Sequence, residues 1–172
     1  MIRKTFLNPQ LMAVALIASL MLPVVILTYT EHNPFWVALS ALLLPLGFYT
    51  MLAALSRRSG VMTWWAFPFI FFSAFQVVLS YLFGNSVVAA DMFLNLTTTN
   101  TGEAGELLAN IYPSVIAVFV IYLPLLYLAT QHIISKVQLK QRMRCRMLIG
   151  GAVTMLAGCI TLFAGCRGEV RK

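Results

Sequence analysis

The sequence predicts an all-α, polytopic membrane protein with five transmembrane helices. Of its 172 residues, 60% are hydrophobic and 10% are charged, whereas soluble domains carry about 25% charged residues. A soluble core of this size could not bury so much apolar surface, so the surplus implies that lipid is part of the solvent. The apolar residues also fall into five stretches, each close to the roughly 20 residues that a helix needs to cross a bilayer.

The first two spans are preceded by helix-start signals, and several spans contain a proline. Asn8 and Pro9 stand before the first span as a cap and a first-turn proline, and Asn33-Pro34 stands before the second. Proline inside a buried helix is tolerated where neighbouring groups satisfy the carbonyl that it frees. Pro23, Pro45, Pro68 and Pro124 lie within the spans. The predicted spans cover residues 10–28, 35–55, 61–83, 111–130 and 147–164.

The first span is interpreted as a retained helix rather than a signal peptide. No small-x-small cleavage site precedes Glu31, and four further spans follow. Together the five spans form one predicted membrane domain over residues 1–166, followed by a short tail over residues 167–172. We interpret that tail as a point of truncation.

The charges predict the orientation of the chain. Basic residues in membrane proteins concentrate in cytoplasmic loops, and an N-terminus on the cytoplasmic side places three basic groups there. The loops on the opposite side carry acidic residues instead, and the tail is the one exception to this sorting. The net charge of +7 therefore indicates topology, and no nucleic-acid partner is expected. The basic groups are Arg3-Lys4, Arg57-Arg58 and the five cations from Lys136 to Arg146; the acidic residues are Glu31, Asp91, Glu103 and Glu106.

The cysteines and histidines of this chain are not spaced to bind a metal ion. Cys145, Cys159 and Cys166 lack any metal-binding spacing and are interpreted as free thiols. His32 and His132 fall on opposite sides of the predicted membrane, so they cannot share an ion. We therefore predict no metal site, no cofactor and no catalytic residue in this chain.

Three glycines predict a close contact between helices. Gly151, Gly158 and Gly165 recur every seven residues within the last span. Glycines at this spacing are typical of a helix face that packs closely against a neighbour.

The connection over residues 84–110 is the long loop on the outer side, and we predict an amphipathic helical segment within it. Asp91, Asn95, Thr99 and Glu103 recur every four residues, a spacing that stacks side chains along one helix face. One interpretation is a surface helix whose polar face meets water. The other is a polar site, with a carboxylate suited to an ammonium group and an amide and a hydroxyl suited to phosphate oxygens. That set matches a zwitterionic lipid headgroup.

The residues from Asp91 to Leu107 carry a resemblance to a known family. The string DMFLN, followed by Thr99 and then Glu103-Ala104, resembles the signature of the membrane domain of the lipid A phosphoethanolamine transferases, which include the colistin-resistance enzymes. Five spans, a cytoplasmic N-terminus, a periplasmic C-terminus and a long outer loop after the third span are similar to that family's layout. The resemblance covers roughly residues 1–166, and its specific part is the loop.

The resemblance implies a function and a set of site residues. Members of the family transfer phosphoethanolamine from phosphatidylethanolamine to lipid A in the bacterial inner membrane, using a zinc-dependent periplasmic domain. The family's donor-lipid contacts correspond to Asn95, Thr99 and Glu103 in this sequence. No such periplasmic domain follows residue 166, so this chain is expected to anchor and present the donor lipid, to be inactive in transfer by itself, and to depend on a separate catalytic domain. The alternatives are a small transporter or channel subunit and a structural membrane scaffold.

Overall fold

The described secondary structure is helical. The computed structural model describes residues 8–30, 33–83 and 101–170, and over these ranges the single departure from helices and loops is an isolated antiparallel bridge between Arg58 and Gln138. The predicted all-α class is therefore confirmed for this part of the chain. In chain order, the helices are α1 (Pro9–Thr30), α2 (Phe35–Ala54), α3 (Ser59–Trp65), α4 (Phe67–Phe83), α5 (Thr101–Ile134) and α6 (Gln141–Val170).

Four of these helices, α1, α2, α5 and α6, are individually long and apolar enough to cross a membrane. The pair α3 and α4 meets the same criterion only when the two are taken together. The described residues therefore hold four candidate spans, or five if the pair crosses as one. The multi-pass character agrees with the prediction, whereas the side on which each terminus lies stays a prediction.

The span predicted over residues 61–83 corresponds to two helices, which meet at a bend of 58°. Pro68 stands in the first turn of α4, where a continuous helix would lose one hydrogen bond and bring the proline ring against the carbonyl four residues earlier. Ala66 ends α3 at this point, and its N–H donates to the Met62 carbonyl at 2.9 Å. Its own carbonyl accepts the Ile70 N–H at 3.0 Å. The proline therefore explains the position of the bend.

The predicted cap of the first helix is present. The side-chain oxygen of Asn8 accepts the Gln10 N–H at 3.0 Å, and the Asn8 carbonyl accepts the Met12 N–H at 3.2 Å. Pro9 occupies the first helical position, where its missing N–H removes no intrahelical bond.

Two helices extend beyond the predicted spans. α5 begins at Thr101 rather than near residue 111, and α6 covers Gln141–Val170 rather than 147–164. The added segments are rich in Glu, Ala, Leu, Gln and Arg, which are strong helix formers. Hydropathy marks where a helix can enter lipid, and these residues allow the same helix to continue past that boundary.

α2 and α6 pack closely and antiparallel along the predicted glycine face. A methyl group built on Gly47 of α2 would lie 2.7 Å from the Gly151 carbonyl oxygen, and one built on Gly158 would lie 2.9 Å from Leu44 Cγ. Gly165 faces Val37 near the start of α2. The heptad of glycines therefore lies on a face that allows two backbones to approach, as predicted.

A second group of helices, α1, α4 and α5, surrounds the apolar core. Its buried side chains come from all three helices, and the cluster also includes Ala53 of α2 and Ala66, which lies between α3 and α4. The largest fully buried apolar side chains of this group are Met12, Leu16, Leu20 and Ile70. Most other large apolar side chains in the described helices are exposed, among them Phe163 at 73% and Trp65 at 78%. Such an apolar exterior is typical of a bundle that is solvated by lipid.

Candidate functional site

The predicted headgroup residues fall mostly outside the described part of the chain. Asn95 and Thr99 lie outside it altogether, and the backbone of Glu103 lies in the first turn of α5. The side chain of Glu103 is also outside the description. The structure therefore leaves the grouping of these three side chains a prediction.

The position of Glu103 along its helix is nevertheless defined. The candidate span described in α5 covers Tyr112–Ile134, and Tyr112 is nine residues after Glu103, which corresponds to about 14 Å at 1.5 Å per residue. One continuous helix joins the two positions. The backbone of Glu103 therefore lies about 14 Å along the helix from Tyr112.

A cluster of three polar groups lies inside the bundle, where α1, α4 and α5 meet. The Tyr122 hydroxyl lies 3.2 Å and the Ser73 hydroxyl 3.3 Å from the Ser19 carbonyl oxygen, and the two hydroxyls are 2.9 Å apart. The Ser19 carbonyl would normally accept the N–H four residues later, but that residue is Pro23, which has none. The hydroxyls of two neighbouring helices therefore satisfy a carbonyl that the proline has freed.

The hydroxyl cluster has more contacts than protons. Tyr122 and Ser73 each carry one hydroxyl hydrogen, whereas the cluster contains three close oxygen pairs. Two of the three pairs are therefore hydrogen bonds at any moment. Both hydroxyls can donate to the Ser19 carbonyl, or one hydroxyl can donate to the other while the second donates to Ser19. A proline inside an apolar run was the available sequence signal for this cluster, but it does not identify the donors.

A second buried polar contact joins α3 to α5. His132 is 1% exposed, and its Nδ1 lies 2.9 Å from the Ser59 hydroxyl. Thr63 donates its own hydroxyl to the Ser59 carbonyl at 3.1 Å. The neighbouring Gly60 allows the close approach, because a methyl group there would lie 2.9 Å from the His132 Cβ. This contact is sealed from the surface and joins helices rather than offering a reactive group.

The loop after α2 and the loop after α5 are joined by hydrogen bonds, and a side chain of α6 bonds to the end of α2. The Leu139 N–H donates to the Arg57 carbonyl at 2.7 Å, next to the Arg58–Gln138 bridge. Arg144 donates to the Ala54 carbonyl at 3.1 Å and to the Leu55 carbonyl at 2.9 Å. These carbonyls belong to the last turn of α2, which has no intrahelical donors for them. A cation at a helix C-terminus also interacts favourably with the helix dipole.

An apolar groove of about 360 Å³ lies between α4 and α5. Its walls are aliphatic and aromatic, with the Tyr122 ring among them. It runs along the bundle from the level of Val78 and Val115 to that of Phe67 and Leu126. A groove of this character suits hydrocarbon and offers no polar group for orienting a soluble substrate.

Metal-binding groupings and disulfides are both missing from the described ranges. No cluster of three His, Cys, Asp or Glu residues there is arranged to hold a metal ion. Cys145, Cys159 and Cys166 are free thiols, as predicted.

Comparison with protein-family models, with curated proteins and with solved structures gives no match to this chain.

Proposed function

We propose that this chain is the membrane domain of a phosphoethanolamine transferase and that it presents the donor lipid phosphatidylethanolamine. In this proposal the carboxylate of Glu103 faces the primary ammonium of the headgroup, and the Asn95 amide and Thr99 hydroxyl face its phosphate. The acceptor is lipid A, the membrane is the bacterial inner membrane, and a separate zinc-dependent domain supplies the chemistry. The chain by itself is catalytically inactive.

The observation that carries the proposal is the pattern of polar residues between Asp91 and Leu107, which resembles the family signature. The helix geometry is compatible with it, because Glu103 belongs to the same continuous helix as the candidate span Tyr112–Ile134. A headgroup held near Glu103 would lie close to the start of that span. The start of a helix also carries partial positive charge, which favours a nearby phosphate.

The groove between α4 and α5 supports a lipid rather than a soluble substrate. Its upper wall includes Val115, twelve residues and about 18 Å below Glu103 along α5. A phospholipid with its headgroup at the start of α5 has its acyl chains at the depth of this groove. The purely apolar lining gives such a chain favourable contacts.

The transporter alternative is weakened by the content of the candidate spans. Transport pathways and proton relays place ionisable residues within the membrane. In the described spans, acidic and basic side chains are confined to the ends, and the buried polar groups are hydroxyls, a carbonyl and His132. A structural scaffold would tolerate any residue at positions 95, 99 and 103. The substitution experiment described next therefore also distinguishes the scaffold from the proposal.

The test measures headgroup selectivity in the full chain. The protein is placed in nanodiscs that contain equal amounts of phosphatidylethanolamine and phosphatidylcholine, and the amount of each lipid retained after delipidation is measured by native mass spectrometry. We expect Glu103→Gln to lower the selectivity for ethanolamine by roughly tenfold or more, since a charge-assisted hydrogen bond is lost. Asn95→Ala and Thr99→Ala should each lower the affinity for both phospholipids.

Glu106→Gln is the matched control, because it removes an equal charge three residues later on the same helix. Its selectivity should stay that of the unsubstituted chain. Unchanged selectivity in Glu103→Gln together with unchanged phospholipid affinity in Asn95→Ala would reject the site and leave the scaffold interpretation. An equal loss in Glu106→Gln would show that general surface charge, rather than a site, attracts the headgroup.

A further inference from the structure

One end of the bundle gathers most of the cations of the molecule. It is the end at which α2 and α5 finish and α6 begins, and the loops after α2 and after α5 meet there. The Arg58–Gln138 bridge and the bond from the Leu139 N–H to the Arg57 carbonyl join these loops. We call this surface the basic platform, and its side chains are Arg57, Arg58, Lys136, Lys140, Arg142, Arg144 and Arg146.

Most of these cations are available for an external partner. Arg144 is half-buried and engaged with the carbonyls that end α2, whereas the other six are exposed. The acidic residues within the described ranges lie at the other end of the bundle, at the start of α5 and near the end of α6. The platform therefore carries a dense positive charge with no described carboxylate to neutralise it.

The two loops hold the charges in a fixed arrangement. Arg58 lies directly opposite Gln138, and Lys140 is two residues from Gln138 on the same strand-like segment. Diagonal neighbours across an antiparallel pair are about 7–8 Å apart, which is within the reach of two long cationic side chains that share one phosphate. The positive-inside rule explains why these two loops are basic, but it does not require the loops to be bonded to each other.

Two tryptophans place the platform next to lipid headgroups. Trp64 and Trp65 end α3, which begins at the platform and lies before the 58° bend. Trp65 is 78% exposed, and the Trp64 indole N–H points to the Thr130 hydroxyl at 3.4 Å. Exposed tryptophans of membrane proteins concentrate at the headgroup level. The permanent neighbours of the basic platform are therefore the headgroups of one leaflet.

We infer that the basic platform is a binding site for anionic phospholipids, with Arg58, Lys140 and Arg142 as principal contacts to the headgroup phosphate. The partner is a lipid with a net negative headgroup, such as phosphatidylglycerol. The site is at the opposite end from Glu103, and it is independent of the proposed phosphatidylethanolamine site. Each cation close to an anionic surface raises the affinity about fivefold.

The test uses the tryptophans as reporters at the two ends. Nanodiscs contain phosphatidylglycerol and phosphatidylcholine, and bromine is carried by the acyl chains of one lipid or the other. Trp36→Phe leaves the emission of Trp64 and Trp65, whereas the double variant Trp64→Phe/Trp65→Phe leaves Trp36 at the other end of α2. Brominated acyl chains quench tryptophan fluorescence. The ratio of the quenching by brominated phosphatidylglycerol to that by brominated phosphatidylcholine gives the binding constant of phosphatidylglycerol relative to phosphatidylcholine near each reporter.

We expect a relative binding constant of about five or more at the platform and a value closer to one at Trp36, where Arg167 near the end of α6 is the single described cation. In the Trp36→Phe background, the triple variant Arg58→Gln/Lys140→Gln/Arg142→Gln should lower the platform value at least fivefold toward one. Arg167→Gln, which removes a cation near the other end of α6, should leave it unchanged. Circular dichroism and a thermal melt verify that the triple variant is folded.

A salt titration of the chain without charge substitutions gives an independent measurement. Raising the salt from 0.1 to 1 M shortens the screening length from about 10 to about 3 Å, and the relative binding constant at the platform should fall toward one. A value near one at low salt overturns the inference. So does an equal value in the triple variant and the unsubstituted chain.

Discussion

The two helix groups of this bundle are joined by opposite means. α2 and α6 approach through glycines, and their closest contacts involve backbone atoms and the small spaces left by missing side chains. α1, α4 and α5 instead meet at hydroxyl groups that satisfy the carbonyl freed by Pro23. Lipid tails are as apolar as the side chains between helices, so neither contact relies on a hydrophobic driving force.

The difference teaches what each contact requires of the sequence. The glycine contact requires that atoms be absent, and any added carbon must displace a neighbour. The hydroxyl contact requires particular atoms, and its value depends on the proline that created an unsatisfied acceptor. The first should therefore be sensitive to added volume, and the second to the removal of a donor.

The largest expected effect is that of Gly47→Ala. The added methyl would lie 2.7 Å from both the Gly151 carbonyl oxygen and the Met155 nitrogen, which are backbone atoms and cannot move by a rotamer change. Overpacking of this kind typically destabilises by 1–3 kcal/mol, and we expect about 3 kcal/mol for Gly47→Ala. For Gly151→Ala we expect about 2 kcal/mol, because its nearest neighbour is the flexible Met51 side chain.

Gly150→Ala is the matched control for these substitutions. No atom lies within 4 Å of a methyl group built on Gly150, so the better helix propensity of alanine should stabilise by about 0.5–1 kcal/mol. The free energy of unfolding is measured in micelles by titration with sodium dodecyl sulfate. Equal losses in Gly150→Ala and Gly151→Ala would show that the glycine face is not a packing surface.

A smaller effect is expected at the hydroxyl cluster, where Tyr122→Phe removes one donor from the Ser19 carbonyl. Hydrogen bonds between membrane helices contribute about 0.6 kcal/mol on average and up to about 1.7. We expect a loss of about 1 kcal/mol in the same unfolding titration. Tyr127→Phe on the exposed side of α5 should change the free energy of unfolding by less than about 0.5 kcal/mol.

The dependence on proline is tested by repeating Tyr122→Phe in a Pro23→Ala background. The restored backbone N–H at position 23 can donate to the Ser19 carbonyl, so the tyrosine hydroxyl becomes less important. The loss should fall to about half of its value in the unsubstituted background, and the difference is the coupling energy of the pair. Identical losses in the two backgrounds would separate the hydroxyl cluster from the proline.

The smallest loss of stability is expected for a change at Arg144, which lies at one end of the contact between α2 and α6 and donates hydrogen bonds to the last carbonyls of α2. Arg144→Gln removes donors from the Ala54 and Leu55 carbonyls and should destabilise by about 0.5–1 kcal/mol in a zwitterionic detergent. The exposed Arg142→Gln is the comparison and should be nearly neutral there. A comparable loss in both would assign the effect to net charge rather than to the helix end.

Local features of the fold could be predicted from the sequence. The apolar runs indicate where helices can cross lipid, Asn8-Pro9 indicates a capped start, and the glycine heptad indicates a close-packed face. Each of these depends on residues that are near one another in the chain, or on a period of one helix. The same evidence could not indicate which helix the glycines contact, because lipid-facing and helix-facing surfaces are equally apolar in a membrane.

The contacts between distant residues were beyond sequence reasoning. Ser19 and Tyr122 are 103 residues apart, and a serine and a tyrosine within apolar runs have no distinguishing signal. The length of α5 was underestimated because the prediction followed the apolar run from residue 111, whereas the Glu, Ala and Leu residues before it also favour a helix. Of the headgroup residues, Asn95 and Thr99 stay predictions, and for Glu103 only the helical backbone position is defined.

The glycine contact has a consequence for the synthesis of the chain. Gly47 and Gly151 are roughly 100 residues apart, which corresponds to about 5–20 s at translation rates of 5–20 residues per second. During this interval the glycine-lined face of α2 has no α6 to cover it, and lipid or the insertion machinery must occupy the space. The last helix to be made therefore closes a surface that one of the first helices has left open.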